Sequence, residues 1–515
     1  MQLNITSNMP VQSRIQLCAD TELKVILLEG LHLLSIDANI CKLIEADIDR
    51  AAKVNKMERL EDAAWYGKFT PNLPGLTLAD APKIDAESLS LGIGCPRNLD
   101  AEAIFIFMMC RAYLGSVTSL AAIDRLRDSL LIHEYLAARN MSMPGRSSIH
   151  LLLNQISAET HDYILDSQFR LIREEGLETS DKLAIDSFSV GGSTSWPTDS
   201  RLTHRLLERA FLFGGKVKAF GCTPFSEAYV PEWLKELHSI DFSIACTAGK
   251  AKSKGKVKKL YRRFLTRAAK TADRLVKQYT ALEASWKSVA LPPSRRRQLD
   301  EIMALINESL QAALRIISYA ENRVFNEIVL PSTEKFLSLS DASVAYIQKG
   351  GREPVIGYKP QLARSGNGFV TAIEIMKGNP CDSARLVPVV NQHVKRTGFT
   401  PDILTVDDGY SSRAGRTELL ASGVRVVSIS GSKGKHITPE EDWDNPEFKQ
   451  ARADRSAVES IIFTLRYKFD LYRFSRRGLE AVTAEIKEKI IAYNLQRMAL
   501  VRQRLRDAEA KKKIA

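Results

Sequence analysis

Residues 181–192 read DKLAIDSFSVGG, and this stretch decides the fold that we predict for the chain. A short apolar run containing Asp186 is followed by two glycines, a pattern typical of a β-strand that ends in a turn. Strand-like segments return only from about residue 352, in REPVIGYKPQLARS, GNGFVTAIEIMKGNP, DILTVDDGY and VRVVSIS. The residues between are predominantly helical. This order predicts an α/β domain that is interrupted by a helical insertion.

The pattern divides the chain into four parts. Residues 1–85 are predicted as a helical N-terminal extension, and 86–178 as a helical domain. Residues 179–223 and 346–505 form the predicted α/β domain, which 224–345 interrupts as a basic helical insertion. Within 86–178, the Pro-Gly turn and paired serines of MPGRSSIHLLLNQIS leave two interpretations open: a helix-turn-helix-like DNA-recognition unit or a plain helical bundle.

Composition and charge narrow the class of protein. The formal net charge of +12 favours a polyanionic partner, of which nucleic acid is the first candidate. The seven cysteines include no C-x-x-C pair, so neither a disulfide framework nor a structural zinc site is expected. We find no signal peptide and no run of about 18 apolar residues that would span a membrane. We therefore expect a cytoplasmic protein.

The insertion carries most of the excess positive charge. Residues 250–297 contain 16 Lys or Arg and 2 Asp or Glu, with aromatic residues between them. So few acidic residues cannot neutralise the cations along a helix, and a polyanion is the better interpretation than a solvated helix face. Phosphate contacts of this kind give affinity but little sequence choice. The candidate DNA-binding residues are Lys258, Lys259, Arg262 and Arg263.

Three acidic residues stand where an α/β sheet holds reactive groups. Asp186 lies in the first strand, and Asp407 ends a later strand, where open α/β sheets place their sites. Glu459 lies in DRSAVESIIFTLRYKF, on the margin of an apolar stripe that would pack a helix on the sheet. Carboxylates without His or Cys suit Mg²⁺ or Mn²⁺, and two such ions serve phosphoryl transfer. Singly, each residue has a simpler interpretation: an Asp at a turn or edge, or a solvated Glu.

Several segments together resemble the DDE transposases of bacterial insertion sequences. IDSFSVGGSTSWPTDSRLTHRLL is similar to their first-aspartate motif, and TVDDGYSS resembles the second. KFLSLSDASVAYIQKGGREPVIGYKPQLARSGNGFVTAIEIMKGNPCDS is similar to the intervening strands, with a Gly-Asn-Pro-x-Asp-Ser element. RSAVESIIFTLRYKFDLYRFSRRGLE and YNLQRMA resemble the glutamate-bearing helix and the ending. The resemblance covers about 88–505.

This resemblance implies a ribonuclease H-like catalytic fold in which Asp186, Asp407 and Glu459 bind two Mg²⁺ or Mn²⁺ ions. It implies an enzyme that cuts DNA at the ends of an insertion sequence and joins them to target DNA. Double-stranded DNA with terminal inverted repeats, target DNA and a homodimer or larger assembly on DNA are the implied partners. We prefer Asp407 to Asp408 because the family pattern reads Asp-x-Gly-aromatic. Tyr358, where the family often has His, and Ser187, where Thr is common, are departures that remove no metal ligand.

Further residues are weaker candidates. Asp199 either supports the site or caps a helix. The basic residues near the site, which we expect to contact the DNA backbone because Arg pairs with phosphate, are Lys359, Arg455, Arg466, Lys468, Arg473, Arg476 and Arg477.

Three rival interpretations remain. The first is a nuclease on the same fold that cuts DNA without joining it. The second is a DNA-binding protein derived from a transposase but without activity, against which the intact triad argues. The third is an RNA-binding scaffold, which the absence of an aromatic-rich strand motif disfavours.

Overall fold

A computed structural model of the 515-residue chain describes residues 21–66, 89, 91, 98–115, 118–179, 181–225, 228–328, 330–331, 334–349 and 353–514. The chain forms two compact units. The first comprises the described residues within Met1–Asp49, Ile93–Ser193 and Ser343–Ala515, and the second those within Arg50–Gly92 and Thr194–Ala342. Residues 1–20 and most of 67–97, parts of the predicted N-terminal segments, lie outside the described residues.

The helices in chain order are α1 (Thr21–Ile36), α2 (Asn39–Trp65), α3 (Ala101–Leu114), α4 (Ser119–Asp128), α5 (Leu130–Ala138), α6 (Arg146–Leu153), α7 (Ala158–Glu174), α8 (Asp199–Lys216), α9 (Tyr229–Thr247), α10 (Lys254–Glu283), α11 (Pro293–Phe325), α12 (Leu386–Thr397), α13 (Arg413–Ala421), α14 (Ser432–Ile437), α15 (Glu440–Asp444), α16 (Pro446–Asp454), α17 (Ser456–Tyr467) and α18 (Leu479–Ile514). The strands are β1 (Lys182–Ser187), β2 (Val190–Gly191), β3 (Ala345–Ile347), β4 (Val355–Tyr358), β5 (Gln361–Ser365), β6 (Val370–Glu374), β7 (Ile403–Val406) and β8 (Val426–Ile429).

The first unit is built on a five-stranded mixed sheet with the strand order β6-β5-β1-β7-β8. Strand β1 pairs antiparallel with β5 and parallel with β7, and β7 pairs parallel with β8. A smaller antiparallel sheet has the order β2-β4-β3. The predicted α/β architecture is therefore present, as a mixed sheet in a mostly helical chain.

Alternation along β1 assigns its side chains to two faces of the sheet. Leu183 and Ile185 join a buried apolar cluster with Val389 of α12 and Leu404 of β7. The intervening Ala184 and Asp186 therefore point to the opposite face. On that face the hydroxyl of Thr405 donates to a backbone carbonyl of α16, and the neighbouring α17 packs against β1. Asp186 thus lies on the sheet face that is covered by α16 and by α17, the helix that carries Glu459.

Helix α18 forms the centre of the helical part of the first unit. It packs against α1, α3 and α7, and it carries a buried ion cluster. Both carboxylate oxygens of Glu488 accept hydrogen bonds from Arg111 and from Arg476, at 2.8–2.9 Å. Because burying an unpaired charge is costly, the three groups depend on one another.

The second unit contains a helical core formed by α8, α9, α10 and α11. The hydroxyl oxygen of Thr198 caps α8 by accepting a hydrogen bond from the backbone N–H of Arg201. Asp199, for which a capping role was one interpretation, instead pairs with Arg323 of α11, with Oδ2 2.7 Å from Nη2. Helix α8 continues past Gly214 to Lys216. A Cβ at Gly214 would lie 2.1 Å from the ring of Phe225, so this glycine permits close packing.

The compact units do not follow the predicted start of the insertion at residue 224. Residues 199–223, expected in the catalytic domain, belong to the helical second unit, because α8 buries its apolar face against α11. A non-helical segment separates α17 from α18. There the chain turns to pair with β2, through hydrogen bonds between Gly191 and both Tyr472 and Phe474. The assignment of functional domains to the four predicted parts stays a prediction.

Within the described residues, no single helix combines the length and the apolar composition of a membrane span; only the sharply bent pair α3 and α4 reaches them together.

Candidate active site

Asp186 and Asp407 lie side by side on adjacent parallel strands. The pairing register of β1 and β7 joins Ile185 to Val406, so the next residues along each strand, Asp186 and Asp407, are neighbours. Adjacent strands are about 4.8 Å apart. Asp407 continues the alternation that puts Thr405 on the Asp186 face. The two predicted carboxylates therefore converge at one edge of the sheet.

The electrostatics of Asp407 reflect this proximity. Burial, and then the negative charge of Asp186, raise the pKa of the Asp407 carboxyl above its ordinary value. The ammonium group of Lys349 and the backbone N–H of Gly409 act in the opposite direction. That N–H donates to Oδ1 of Asp407 at 3.0 Å. Two like charges held this close favour a cation between them.

Asp408 has a different role from Asp407. Its Oδ1 accepts a hydrogen bond from the backbone N–H of Gly434 at 2.9 Å, in the first turn of α14. Gly431, just before α14, has φ +98°, and a Cβ there would lie 2.5 Å from the carboxyl carbon of Asp408. Asp408 thus supports a turn, and these contacts favour Asp407 as the reactive residue of the pair.

Lys349 is the nearest cation to Asp186 that the structure describes. Its Nζ lies 3.2 Å from Oδ1 of Asp186 and 2.9 Å from the hydroxyl oxygen of Ser187, and it also donates to the Ser187 carbonyl. The Lys349 side chain is 36% exposed. The Lys349 ammonium group therefore pairs with Asp186 while the side chain stays partly open to solvent. Sequence reasoning missed this residue, since a single Lys after a short strand gives no signal.

A hydrogen-bonded network next to Asp407 links Asp382 to β5 and to Tyr410. Oδ1 of the buried Asp382 accepts from Lys359 Nζ at 2.9 Å and from Gln361 Nε2 at 2.7 Å. The Tyr410 hydroxyl donates to the amide oxygen of Gln361. Asp382 also contributes to the raised pKa of Asp407. Asp382 lies in the Gly-Asn-Pro-x-Asp-Ser element, but the sequence alone does not indicate its role beside Asp407.

Glu459 lies on α17, whose apolar residues Val458, Ile461, Ile462 and Leu465 are buried as the stripe predicts. Its side chain is 55% exposed and pairs with Arg455 one turn earlier, at 3.3 Å. Among the described residues, no three His, Cys, Asp or Glu side chains are arranged to hold a metal ion. The structure therefore brings Asp186 and Asp407 together, while the Glu459 carboxylate is engaged by an arginine.

The donor set fits a hard divalent cation. Asp186 and Asp407 offer carboxylate oxygens without sulfur or imidazole, the preference of Mg²⁺ and Mn²⁺. The raised pKa of Asp407 beside Asp186 is the electrostatic sign of a pair that a cation would stabilise. Rotation of the Glu459 side chain away from Arg455 would be required for it to join them.

Three of the arginines predicted to touch DNA bind the loop that follows β1. Arg466 donates to the carbonyl of Ser189 at 2.7 Å. Arg473 donates to the carbonyl of Gly192 at 2.9 Å, and Arg477 to that of Ser193 at 3.2 Å. The contacts fasten the chain after Asp186 both to the Glu459 helix, through Arg466, and to the segment that follows that helix, through Arg473 and Arg477.

The other predicted DNA-binding residues also have partners. Lys359 pairs with Asp382 and is 11% exposed, and Arg476 pairs with the buried Glu488. Lys468 contacts Glu22 at 2.8 Å. In the second unit Lys258 lies 3.9 Å from Glu327, Arg262 lies over the ring of Phe325, Arg263 is 3.9 Å from Glu236, and Lys259 is exposed. Lys359 and Arg476 are thus engaged internally, which argues against the predicted phosphate contact at these two positions.

A mixed sheet that brings two carboxylates together where neighbouring strands end defines an α/β protein with a candidate site for hard cations. Residues 332–495 match the family described as Transposase DDE domain. The chain therefore carries a transposase DDE domain, and the predicted relationship to DDE-type transposases is confirmed. The matched range contains Asp407 and Glu459, and Asp186 precedes it. The search of curated proteins and the search of solved structures return no match.

Proposed function

We propose that the protein is a transposase that cuts DNA at the ends of an insertion sequence and joins the released ends to target DNA. The observation that carries this proposal is the pairing of Asp186 with Asp407 on one face of the sheet, within a chain that carries the transposase DDE domain. The strand order β6-β5-β1-β7-β8, in which β5 alone runs antiparallel to the other four strands, supports a ribonuclease H-like fold for this domain.

Asp186, Asp407 and Glu459 are the residues that would hold two Mg²⁺ or Mn²⁺ ions. Such ions, when bound, help to activate the attacking oxygen and to stabilise the leaving one. The contribution of the protein itself is to hold the reacting groups in the geometry that the reaction requires. The Asp382 network fixes the approach to Asp407, and Arg466, Arg473 and Arg477 fix the loop after Asp186.

The reaction has two steps in this proposal. Water attacks the phosphodiester at the end of the element and a 3′-hydroxyl leaves; the same hydroxyl then attacks a phosphodiester of the target, whose own 3′-oxygen leaves. Lys349, released from Asp186, is placed to meet a phosphate oxygen as a point charge. Arg455, once its ion pair with Glu459 is broken, is also placed to meet a phosphate oxygen.

DNA recognition is assigned to the helical regions. The short helices α4, α5 and α6, with α4 packed against α6, support residues 86–178 as the reader of terminal inverted repeats. The basic insertion 224–345 would hold flanking or target DNA, since 16 of its residues between 250 and 297 are cationic. A homodimer or larger assembly on DNA, acting at the bacterial nucleoid, completes the proposal.

A strand-transfer assay with Mg²⁺ tests the chemistry. The substrates are the inverted repeats that flank the gene and a supercoiled target plasmid. Asp186→Asn, Asp407→Asn and Glu459→Gln should each abolish cleavage and joining while the protein still binds DNA. Glu447→Gln, on an exposed glutamate of the same unit, is the matched control and should keep activity.

Product analysis then separates the rivals. Joined products establish transposition, whereas cut but unjoined DNA would indicate a nuclease on the same scaffold. If Asp407→Asn and Glu459→Gln both cleave at the wild-type rate, the assignment of the site is wrong. A pure DNA-binding protein would show no Mn²⁺ binding by titration calorimetry.

A further inference from the structure

Two helix faces of the second unit border one groove. Helices α9 and α10 are packed against each other, and the groove beside them has a volume of about 260 Å³. Its lining residues are Glu236 of α9 and Arg262, Arg263, Thr266, Arg267 and Lys270 of α10. Four cations stand against one carboxylate, so this α9–α10 groove is positively charged.

Helical periodicity explains why these residues meet. Tyr229, Trp233 and Glu236 follow the spacing i, i+4, i+7 and therefore lie along one face of α9. Arg263, Arg267 and Lys270 follow the same spacing on α10. The two faces touch through Arg267, whose Nε lies 2.6 Å from Oε2 of Glu236. The other face of α10, which includes Phe264 and Leu275, is buried in the core.

Aromatic residues continue the α9 face beyond the cations. The rings of Tyr229 and Trp233 are nearly parallel, at 24°, with centroids 6.4 Å apart. The guanidinium group of Arg267 lies 5.2 Å from the Trp233 centroid. Tyr229, at the outer end of this series, is 63% exposed. One face of its ring has Trp233 for a neighbour, and the residue as a whole is open to solvent.

A positive groove beside an exposed aromatic ring has the two features that bind an unpaired nucleic-acid strand. Cations contact the backbone phosphates, and flat rings stack with bases that are free of a duplex. Duplex DNA offers its phosphates but keeps its bases stacked inside. An acidic protein segment would satisfy the cations but would gain less from the exposed ring.

We propose that the α9–α10 groove binds a single-stranded DNA segment, with phosphates against Arg263 and Lys270 and a base stacked on Tyr229. The inference rests on the DNA partnership of the proposed function and names the form of DNA that the insertion holds. Arg267 stays fixed between Glu236 and Trp233 and shapes the wall of the groove. Glu236 limits the charge of the groove, so that the strand can be released.

The test is fluorescence anisotropy of the full chain with a labelled dT20 strand and a 20-bp duplex, between 50 and 200 mM salt and in EDTA. Because EDTA prevents catalysis, a failure of strand transfer leaves this measurement unaffected.

Arg263→Gln combined with Lys270→Gln should weaken dT20 binding about tenfold and reduce the salt slope by about 1.4, since each phosphate contact on a single strand contributes about 0.7. The matched control removes two exposed cations of the same unit outside the groove, Arg205 and Lys218, as Arg205→Gln with Lys218→Gln, and should change affinity less than twofold.

The aromatic contact is tested separately. Tyr229→Ala should weaken dT20 binding by about five- to a hundredfold and leave duplex binding unchanged, whereas Tyr229→Phe should retain both. Equal losses in the two double variants would overturn the groove as a site. Equal effects of Tyr229→Ala on strand and duplex, or no effect on either, would overturn the stacking of a base. Displacement of dT20 by poly-glutamate at equal charge concentration would identify an acidic protein segment as the occupant instead.

Discussion

The ammonium group of Lys349 lies 3.2 Å from Oδ1 of Asp186, across 163 residues of sequence. A divalent cation bound by Asp186 would compete with this ammonium group, because both positive charges are attracted to the same carboxylate oxygen. The same cation lowers the pKa of Asp407 against the effects of burial and of Asp186. Lys349 therefore balances the charge of the paired aspartates.

Replacing this lysine should make the site bind metal more tightly. In Lys349→Met, no ammonium group competes for Asp186, and the Mn²⁺ affinity should rise by about two- to fivefold, the size expected for a partly exposed ion pair. Titration calorimetry measures the change. Lys377→Met, at an exposed lysine of the same unit, serves as the control. Equal affinities in Lys349→Met and the wild type would mean that the lysine does not compete with the ions.

Substitutions at Asp407 and at Asp408 should have different effects, the first on DNA cleavage and the second on the stability of the fold. Asp407→Asn removes a charge beside Asp186 and should abolish cleavage with little change in melting temperature. Asp408→Ala removes the acceptor for the Gly434 N–H and should cost about 0.5–2 kcal/mol of stability, as the loss of a helix cap does. Thermal unfolding and a cleavage assay on both variants check this. Loss of cleavage in the folded Asp408→Ala protein, with activity kept in Asp407→Asn, would reverse the assignment.

Local patterns predicted much of what surrounds the site. The short apolar runs within 182–187 and 403–406 predicted two strands, and the position of Asp407 at a strand end followed from them. The stripe of Val458, Ile461, Ile462 and Leu465 is buried as predicted.

Contacts between distant residues were outside the reach of those patterns. Lys349 and Asp186 meet only because β3 and β4 form a second sheet next to the end of β1. Arg476 was predicted to contact DNA because it lies in a basic run. The local sequence does not indicate that its partner is the buried Glu488. Long basic side chains are the least predictable, since flexible stems allow them to reach phosphate, carbonyl or carboxylate equally well.

Arg466 should act by positioning and not by binding DNA. Its guanidinium group holds the Ser189 carbonyl at 2.7 Å, so Arg466→Ala frees the loop after Asp186. Cleavage by the bound enzyme should fall about tenfold or more, because small misplacements of reacting groups are costly. The affinity for DNA and its salt slope should stay as in the wild type. A salt slope lowered by about 0.9, the loss of one phosphate contact on duplex DNA, would show instead that Arg466 touches the backbone.

Glu488 should be among the most sensitive positions for folding. Burial disfavours its charged form, but Arg111 and Arg476 outweigh that effect and lower the pKa of the Glu488 carboxyl. Glu488→Gln leaves two guanidinium groups without a countercharge and should destabilise the protein by about 3–5 kcal/mol. Urea unfolding measures this, with Glu480→Gln, in the first turn of the same helix, as the control. If Arg476→Met and Glu488→Gln lose stability independently, so that the double variant shows their sum, the pair is not coupled.

His393 should make the fold sensitive to mild acid. Its ring is fully buried on α12, with Nδ1 2.8 Å from the hydroxyl of Thr371. Burial, and then the charge of Arg396, lower the pKa of His393 from 6.5 to about 4. The fold therefore favours the neutral ring, and its contribution is complete above pH 6.5 and is lost as the pH falls towards 4. The loss should total about 3 kcal/mol over that window. In His393→Gln, which keeps an amide near Thr371, urea unfolding should show a correspondingly weaker dependence on pH between 6.5 and 4. His436→Gln, on the short helix α14, is the control and should follow the wild type; a pH dependence that survives in His393→Gln would assign the acid sensitivity to other groups.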